Sequence, residues 1–101
     1  MNLNVYYELG VYKFVWDSEK AEINKKKHKV SFETADRVFL DKNYIDYFDE
    51  LHSDFEDRIQ IIGKVGNILT VIYTERGNMD RIISARRATK DEEEKYYEQF
   101  Y

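Results

Sequence analysis

Apolar and polar residues alternate from Val11 to Trp16, a segment rich in β-branched and aromatic side chains, and this pattern predicts a strand. Gly10 separates it from the lead-in Met1 to Leu9, expected to be an extra strand or a loose segment over residues 1–10. Asp17 or Ser18 then offers an N-cap oxygen, and Glu19 to Asn24 favours a helix running to about His28. Ser31 reads as a second N-cap ahead of Phe32, Ala35 and Phe39, which recur at helical spacing and predict a short helix. Asn43 to Phe48 predicts a strand whose acidic interruptions place it at a sheet edge.

Three longer runs follow, Asp57 to Lys64, Asn67 to Glu75 and Met79 to Arg87. The pairs Gly66-Asn67 and Gly77-Asn78 supply the positive φ that tight hairpins need, so the runs predict an antiparallel meander. Thr89 is the expected N-cap of a closing helix, with Glu92 or Glu93 in its first turn, where the helix dipole favours negative charge. The order β-α-α-β-β-β-β-α predicts an α+β fold: an antiparallel sheet, two N-terminal helices packed on one face, and a C-terminal helix. A chain of 101 residues fits one domain, residues 1–101, because two cores could not both be filled.

Composition narrows the chemistry. Aromatic residues make up 16% of the chain, which supports a packed interior despite 36% charged residues. There is no cysteine, so disulfides and thiolate metal sites are excluded. No apolar run reaches the roughly 20 residues needed to cross a bilayer, and Met1 to Lys13 lacks a secretory pattern, so a cytoplasmic protein is expected. The two histidines stand far apart, and the carboxylates form no Glu-x-x-His or Asp-x-Asp arrangement, so neither a metal nor a cofactor is expected. The formal charge of −4 argues against a diffuse positive surface, but its distribution is uneven. Basic residues bunch at Lys20 with Lys25, Lys26, Lys27 and Lys29, and again from Arg76 to Lys90.

Several short pieces occur together: Phe14-Val15-Trp16-Asp17, then Lys20, Asn24, Lys27-His28 and Val30-Ser31-Phe32-Glu33. They continue with His52-Ser53, Glu56, Arg58, Ile62-Gly63, Tyr73-Thr74-Glu75-Arg76-Gly77 and Arg81-Ile82-Ile83-Ser84-Ala85-Arg86-Arg87-Ala88-Thr89. In this order, over about Tyr12 to Tyr97, they resemble the BrnT family of toxins. The resemblance implies a RelE-like fold and an endoribonuclease that arrests translation. It also implies neutralisation by a BrnA-type ribbon-helix-helix antitoxin, two toxins to an antitoxin dimer, with operator DNA reached only through that antitoxin. The alternative is a non-catalytic protein of the same fold that only binds its antitoxin and operator complex, a reading the acidic net charge favours.

Metal-independent RNA cleavage requires a deprotonated 2′-hydroxyl, a stabilised phosphate and a neutralised leaving oxygen. Arginine suits the phosphate, because its planar fork of donors is always charged. Strict alternation groups Arg58, Gln60 and Ile62; it groups Thr70, Ile72, Thr74 and Arg76; and it places Ile82, Ser84 and Arg86 opposite Arg81, Ile83, Ala85 and Arg87. Arg58, Arg76 and Arg86 are therefore the expected phosphate clamp, with Ser84 as a supporting donor. Their ordinary role would be as solvated strand residues paired to Glu75 or Asp57.

His28 is the candidate general base, since surrounding lysines favour a neutral imidazole, although a helix-end histidine is more often a dipole partner. Lys25, Lys26, Lys27, Arg81 and Arg87 are the candidate RNA-binding cations. Glu75 is a rival base and His52 an expected loop residue or antitoxin contact. Tyr73, Tyr96 and Tyr97 offer stacking surfaces but more commonly pack in a core.

Overall fold

The computed structural model describes residues 3–50 and 56–101. The lead-in is a strand, β1 (Asn4–Leu9), joined by a two-residue loop at Gly10 and Val11 to β2 (Tyr12–Asp17). Gly10 has a φ of +62°, the left-handed conformation the turn demands. Asp17 caps α1 (Ser18–His28) by accepting from the Lys20 N–H at 2.9 Å, and Lys29 ends the helix at a φ of 61°. The short helix expected after Ser31 is one α-helical turn, α2 (Phe32–Ala35), that tightens into a 3-10 helix over Asp36–Leu40.

The edge strand β3 (Ile45–Phe48) precedes the meander of β4 (Ile59–Val65), β5 (Asn67–Arg76) and β6 (Met79–Arg87). Gly66 and Gly77 carry the expected positive φ at its two turns. Thr89 then caps α3 (Lys90–Glu98) in a capping box with Glu92. The six strands lie in the order β1-β2-β6-β5-β4-β3. All neighbours are antiparallel except β2 and β6, which pair in parallel over Phe14 with Asp80 and Val15 with Arg81. The architecture is the expected α+β with a mostly antiparallel sheet.

The main core lies on the sheet face covered by α2 and the 3-10 helix. Phe14 and Trp16 from β2, Ile61 from β4, Val71 from β5, and Ile82 and Ala85 from β6 meet Phe32, Ala35, Val38 and Phe39 there. The rings are tilted or edge-on, Phe14 to Phe39 at 5.0 Å and Trp16 to Phe32 at 5.7 Å between centroids. The 3-10 helix comes so close to β4 that a Cβ on Gly63 would lie 2.9 Å from the Val38 Cβ. A smaller core on the opposite face seals Ile62, Ile68 and Tyr96 beneath α3.

Two departures from simple patterning shape the rest. Ile72 pairs with Ser84 but Tyr73 pairs with Ile82, so Ile83 is an extra residue in β6 and forms a β-bulge. Alternation had placed Ile82 with Ser84 and Arg86, and Ala85 on the other side. The bulge corrects this: Ile82 and Ala85 share the main core, while Ser84 and Arg86 face the opposite way. The second departure is α1, which lies along the part of β6 that β2 leaves unpaired. Asn24 donates to the Ala85 carbonyl at 2.8 Å and accepts the Ala85 N–H at 3.1 Å. It is buried and also donates to the Val30 carbonyl at 3.3 Å.

Candidate functional site

On the sheet face opposite the main core, Arg58, Gln60, Ile72, Ile83, Ser84, Arg86, Glu92 and Asp49 line a groove of about 400 Å³. The strands put them there for a simple reason: β4 and β6 flank β5, and the bulge turns Ser84 and Arg86 toward the same side as Gln60 and Ile72. A second depression of about 250 Å³ shares Ile83 and Ser84 with the first, and its other wall is α1, through Lys20, Ile23, Asn24, Lys27 and His28. These positions of α1 fall at helical spacing on one face. The two hollows therefore meet at Ser84.

Arg86 and Glu92 form an ion pair in the groove. The Arg86 Nη1 and Nη2 donate to Oε1 and Oε2 of Glu92 at 2.7 and 3.0 Å, a bidentate pair. Glu92 also accepts from the Thr70 hydroxyl at 2.9 Å, the Thr89 N–H at 2.9 Å and the Gln60 side-chain amide. Burial alone would push the Glu92 carboxyl up, but the Arg86 guanidinium, the Thr89 N–H and the Thr70 hydroxyl outweigh it and bring it down to about 2. Glu92 is thus a fixed anion and not a base. The same pair raises Arg86 above its ordinary value through the hydrogen bonds that it donates to Glu92, against the opposing effect of burial.

The other candidates are distributed unevenly. Arg58, Ser84 and Arg86 line the groove, and His28 and Lys27 line the adjoining hollow. Arg76 lies outside both linings and is held by Glu56, with Nε and Nη2 each donating at 3.0 Å. Its partner is therefore Glu56, where the sequence had suggested Glu75 or Asp57. Lys25 lines a different cleft, between α1 and α2, with Glu22 and Glu33, and Lys26 is exposed. Arg81 pairs across from Thr74, on the groove side of the sheet because of the bulge, but lies beyond the lining residues. Arg87 pairs across from core-facing Leu69, on the side away from the groove, and donates to Asn67 at 3.2 Å.

Glu75 pairs across from Asp80 on the core side, away from the groove. Tyr73 and Tyr96 are core residues, and Tyr97 is 38% exposed. His52 lies outside the described residues. Glu92 is the groove residue that sequence reasoning recognised only as a helix-capping acid. Its signal was the spacing from Thr89, which placed it in the first turn without revealing that this turn faces Arg86.

Residues 16–92 match the family model for the ribonuclease toxin BrnT of type II toxin–antitoxin systems. The chain belongs to the BrnT family. The family is one of ribonuclease toxins, each acting with an antitoxin partner. Among solved structures, the chain is similar to the crystal structure of the Brucella abortus ribonuclease toxin BrnT, with 25% identity and a TM-score of 0.60. That likeness covers 74% of this chain and 94% of the Brucella one. Compared with curated protein sequences, the chain finds no match. The family match begins at Trp16, so β1 and all of β2 up to Val15 precede it, and it ends at Glu92 within α3. No described helix is long and apolar enough to cross a membrane.

Proposed function

We propose that this BrnT-family chain is a cytoplasmic, metal-independent endoribonuclease that arrests translation and is neutralised by a BrnA-type antitoxin. The observation that carries the reading is the meeting of Arg58, Ser84 and Arg86 in one groove that opens at Ser84 onto the hollow of Lys27 and His28. A single-stranded RNA laid across both hollows would set its phosphate against the arginines and its ribose toward α1.

In that pose Arg58 and Arg86 stabilise the charge that builds on the phosphate as the 2′-oxygen attacks, and Ser84 donates a hydrogen bond to the same group. His28, which lines the adjoining hollow, takes the 2′-hydroxyl proton. The 2′-oxygen forms its bond to phosphorus as the bond to the 5′-oxygen breaks, leaving a 2′,3′-cyclic phosphate, and the departing oxygen takes a proton from water to become a free 5′-hydroxyl. Among the described residues, no three His, Cys, Asp or Glu side chains are disposed to hold a metal ion. The local positive charge, set in a chain of net charge −4, favours phosphate binding at one place over coating by nucleic acid.

The test is cleavage of a mixed-sequence single-stranded RNA by purified protein in excess chelator. Cyclic-phosphate ends are expected, and Arg58→Ala and Arg86→Ala should each lower the rate by about 100-fold. Wild-type protein that arrests no growth when expressed and cleaves no RNA, yet still binds its antitoxin, would establish the non-catalytic alternative instead.

A further inference from the structure

We infer that Glu92 is a positioning residue for the cleavage reaction, holding the Arg86 guanidinium so that one edge of it is presented to the phosphate. The inference rests on the ribonuclease reading above and adds to it a residue that no phosphate would touch. A guanidinium has two edges that can each grip an oxyanion: the end formed by Nη1 and Nη2, and the side formed by Nε and Nη2. Glu92 occupies the end, through Oε1 and Oε2 at 2.7 and 3.0 Å. The remaining Nη1 hydrogen goes to the Arg87 carbonyl at 3.2 Å. Among the described residues nothing accepts from Nε or from the second Nη2 hydrogen. The unused edge is the one shaped for a phosphate, and Arg86 is a lining residue of the groove.

Glu92 is equipped for this task. Its side chain is 11% exposed, and its carboxylate is fixed by three groups besides Arg86: the Thr70 hydroxyl, the Thr89 N–H and the Gln60 amide. These come from β5, from the start of α3 and from β4, so the carboxylate is anchored to three elements at once. An arginine on a strand has four rotatable side-chain torsions and samples many orientations when solvated. Bound end-on to an immobile carboxylate, it keeps one. That order lowers the reorganisation needed when charge develops on the phosphate, which is the origin of electrostatic catalysis.

The expected signature is a loss in turnover with little change in substrate binding. Glu92→Gln keeps the shape and the Thr89 contact but removes the anion, and should lower kcat by about 10-fold or more while KM moves by less than about twofold. The decisive measurement is the same substitution made in Arg86→Ala, where it should have no further effect, since Glu92 acts only through that arginine. Free guanidinium added to Arg86→Ala should restore part of the lost rate, and Glu92→Gln in that background should abolish the rescue. Thermal unfolding identifies any variant that fails to fold. In that event Glu92→Asp, which keeps the charge and the capping position but withdraws the carboxylate by one methylene, carries the same comparison.

An unchanged kcat in Glu92→Gln overturns the inference, and so does a further loss of rate when it is combined with Arg86→Ala. Should Arg86→Ala alone cleave RNA at the wild-type rate, the arginine reading fails, and Glu92 has nothing through which to act.

Discussion

Asn24 of α1 binds both backbone groups of Ala85 through its side-chain amide, so one helix residue stands where a neighbouring strand would otherwise complete β6. The contact is buried and fixes the helix that carries Lys27 and His28 beside the strand that carries Ser84 and Arg86. Asn24→Ala leaves a buried N–H and a carbonyl unpaired and should destabilise the fold by about 2–4 kcal/mol. Urea unfolding measures the loss, and the Ala85 amide should become one of the most accelerated in hydrogen exchange. An unchanged midpoint would show that α1 is held by its apolar contacts alone.

Asp36 predicts an unusual dependence of stability on pH. Its carboxyl is fully buried and neither oxygen has a hydrogen-bond partner among the described residues. Burial, then the nearby Glu33 and Asp80 carboxylates, push it up to about 8. Burial and Glu75 likewise push Asp80 up to about 6. The folded state thus keeps protons that the unfolded chain releases near pH 4, so stability should fall as pH rises from about 4 to about 8 and level off above that. Asp36→Asn should flatten the upper part of this slope and raise stability at pH 9 by on the order of a few kcal/mol, read by urea midpoints at pH 5 and 9.

Glu92 has the opposite sign. Held at about 2 when folded, it contributes stability that is complete above its ordinary value near 4.5 and is lost as pH falls toward 2. The two groups together place the stability maximum on the acidic side of neutrality, at about pH 4 to 5. Glu92→Gln should remove most of the acid limb while leaving the alkaline slope in place, a separation that acid and alkaline titrations of fluorescence can resolve.

Gly63 lies outside the left-handed region but has no room for a side chain. Gly63→Ala would drive a methyl against the Val38 Cβ at 2.9 Å and the Val38 carbonyl at 3.1 Å, forcing the 3-10 helix off β4. The expected cost is about 1–3 kcal/mol in urea unfolding. A variant as stable as the wild type would mean that the 3-10 helix yields freely.

Arg76 separates an ion pair from a catalyst. Its bidentate partner Glu56 is 37% exposed, and the arginine is 50% exposed. Arg76→Ala should therefore cost less than about 1 kcal/mol of stability and leave RNA cleavage within about threefold of wild type, in contrast to Arg86→Ala. A large loss of cleavage would bring Arg76 back into the phosphate clamp.

Much of this molecule was legible in its sequence because the signals were local. Gly66 and Gly77 marked the meander, Ser31 and Thr89 marked helix starts, and Phe32, Ala35 and Phe39 marked a buried stripe. The sequence singled out Arg58, Arg76 and Arg86 with Ser84 in support; Arg58, Ser84 and Arg86 line one groove, and Arg76 lies outside it. What eluded it was long-range. The bulge at Ile83 is set by pairing with β5 and leaves no mark in alternation. The Arg86 partner was unreadable for a related reason: Glu92 lies six positions later, across a strand end and a helix cap, and only the folded turn brings it back. Lys25, Lys26 and Lys27 form one run in sequence, yet a helix sends consecutive residues to different sides, and only Lys27 reaches the hollow with His28.

The extra residue at Ile83 also governs how this strand can change over time. Ahead of it, odd-numbered Arg81 points to the groove side and even-numbered Ile82 to the interior; beyond it, even-numbered Ser84 and Arg86 take the groove side and Ala85 the interior. Deleting the Ile83 codon would leave these facings and their pairing with β5 in place, because plain alternation from Ile82 already sends Ser84 and Arg86 to the groove side and Ala85 inward; what it would remove is the bulge and the Ile83 side chain that both hollows share.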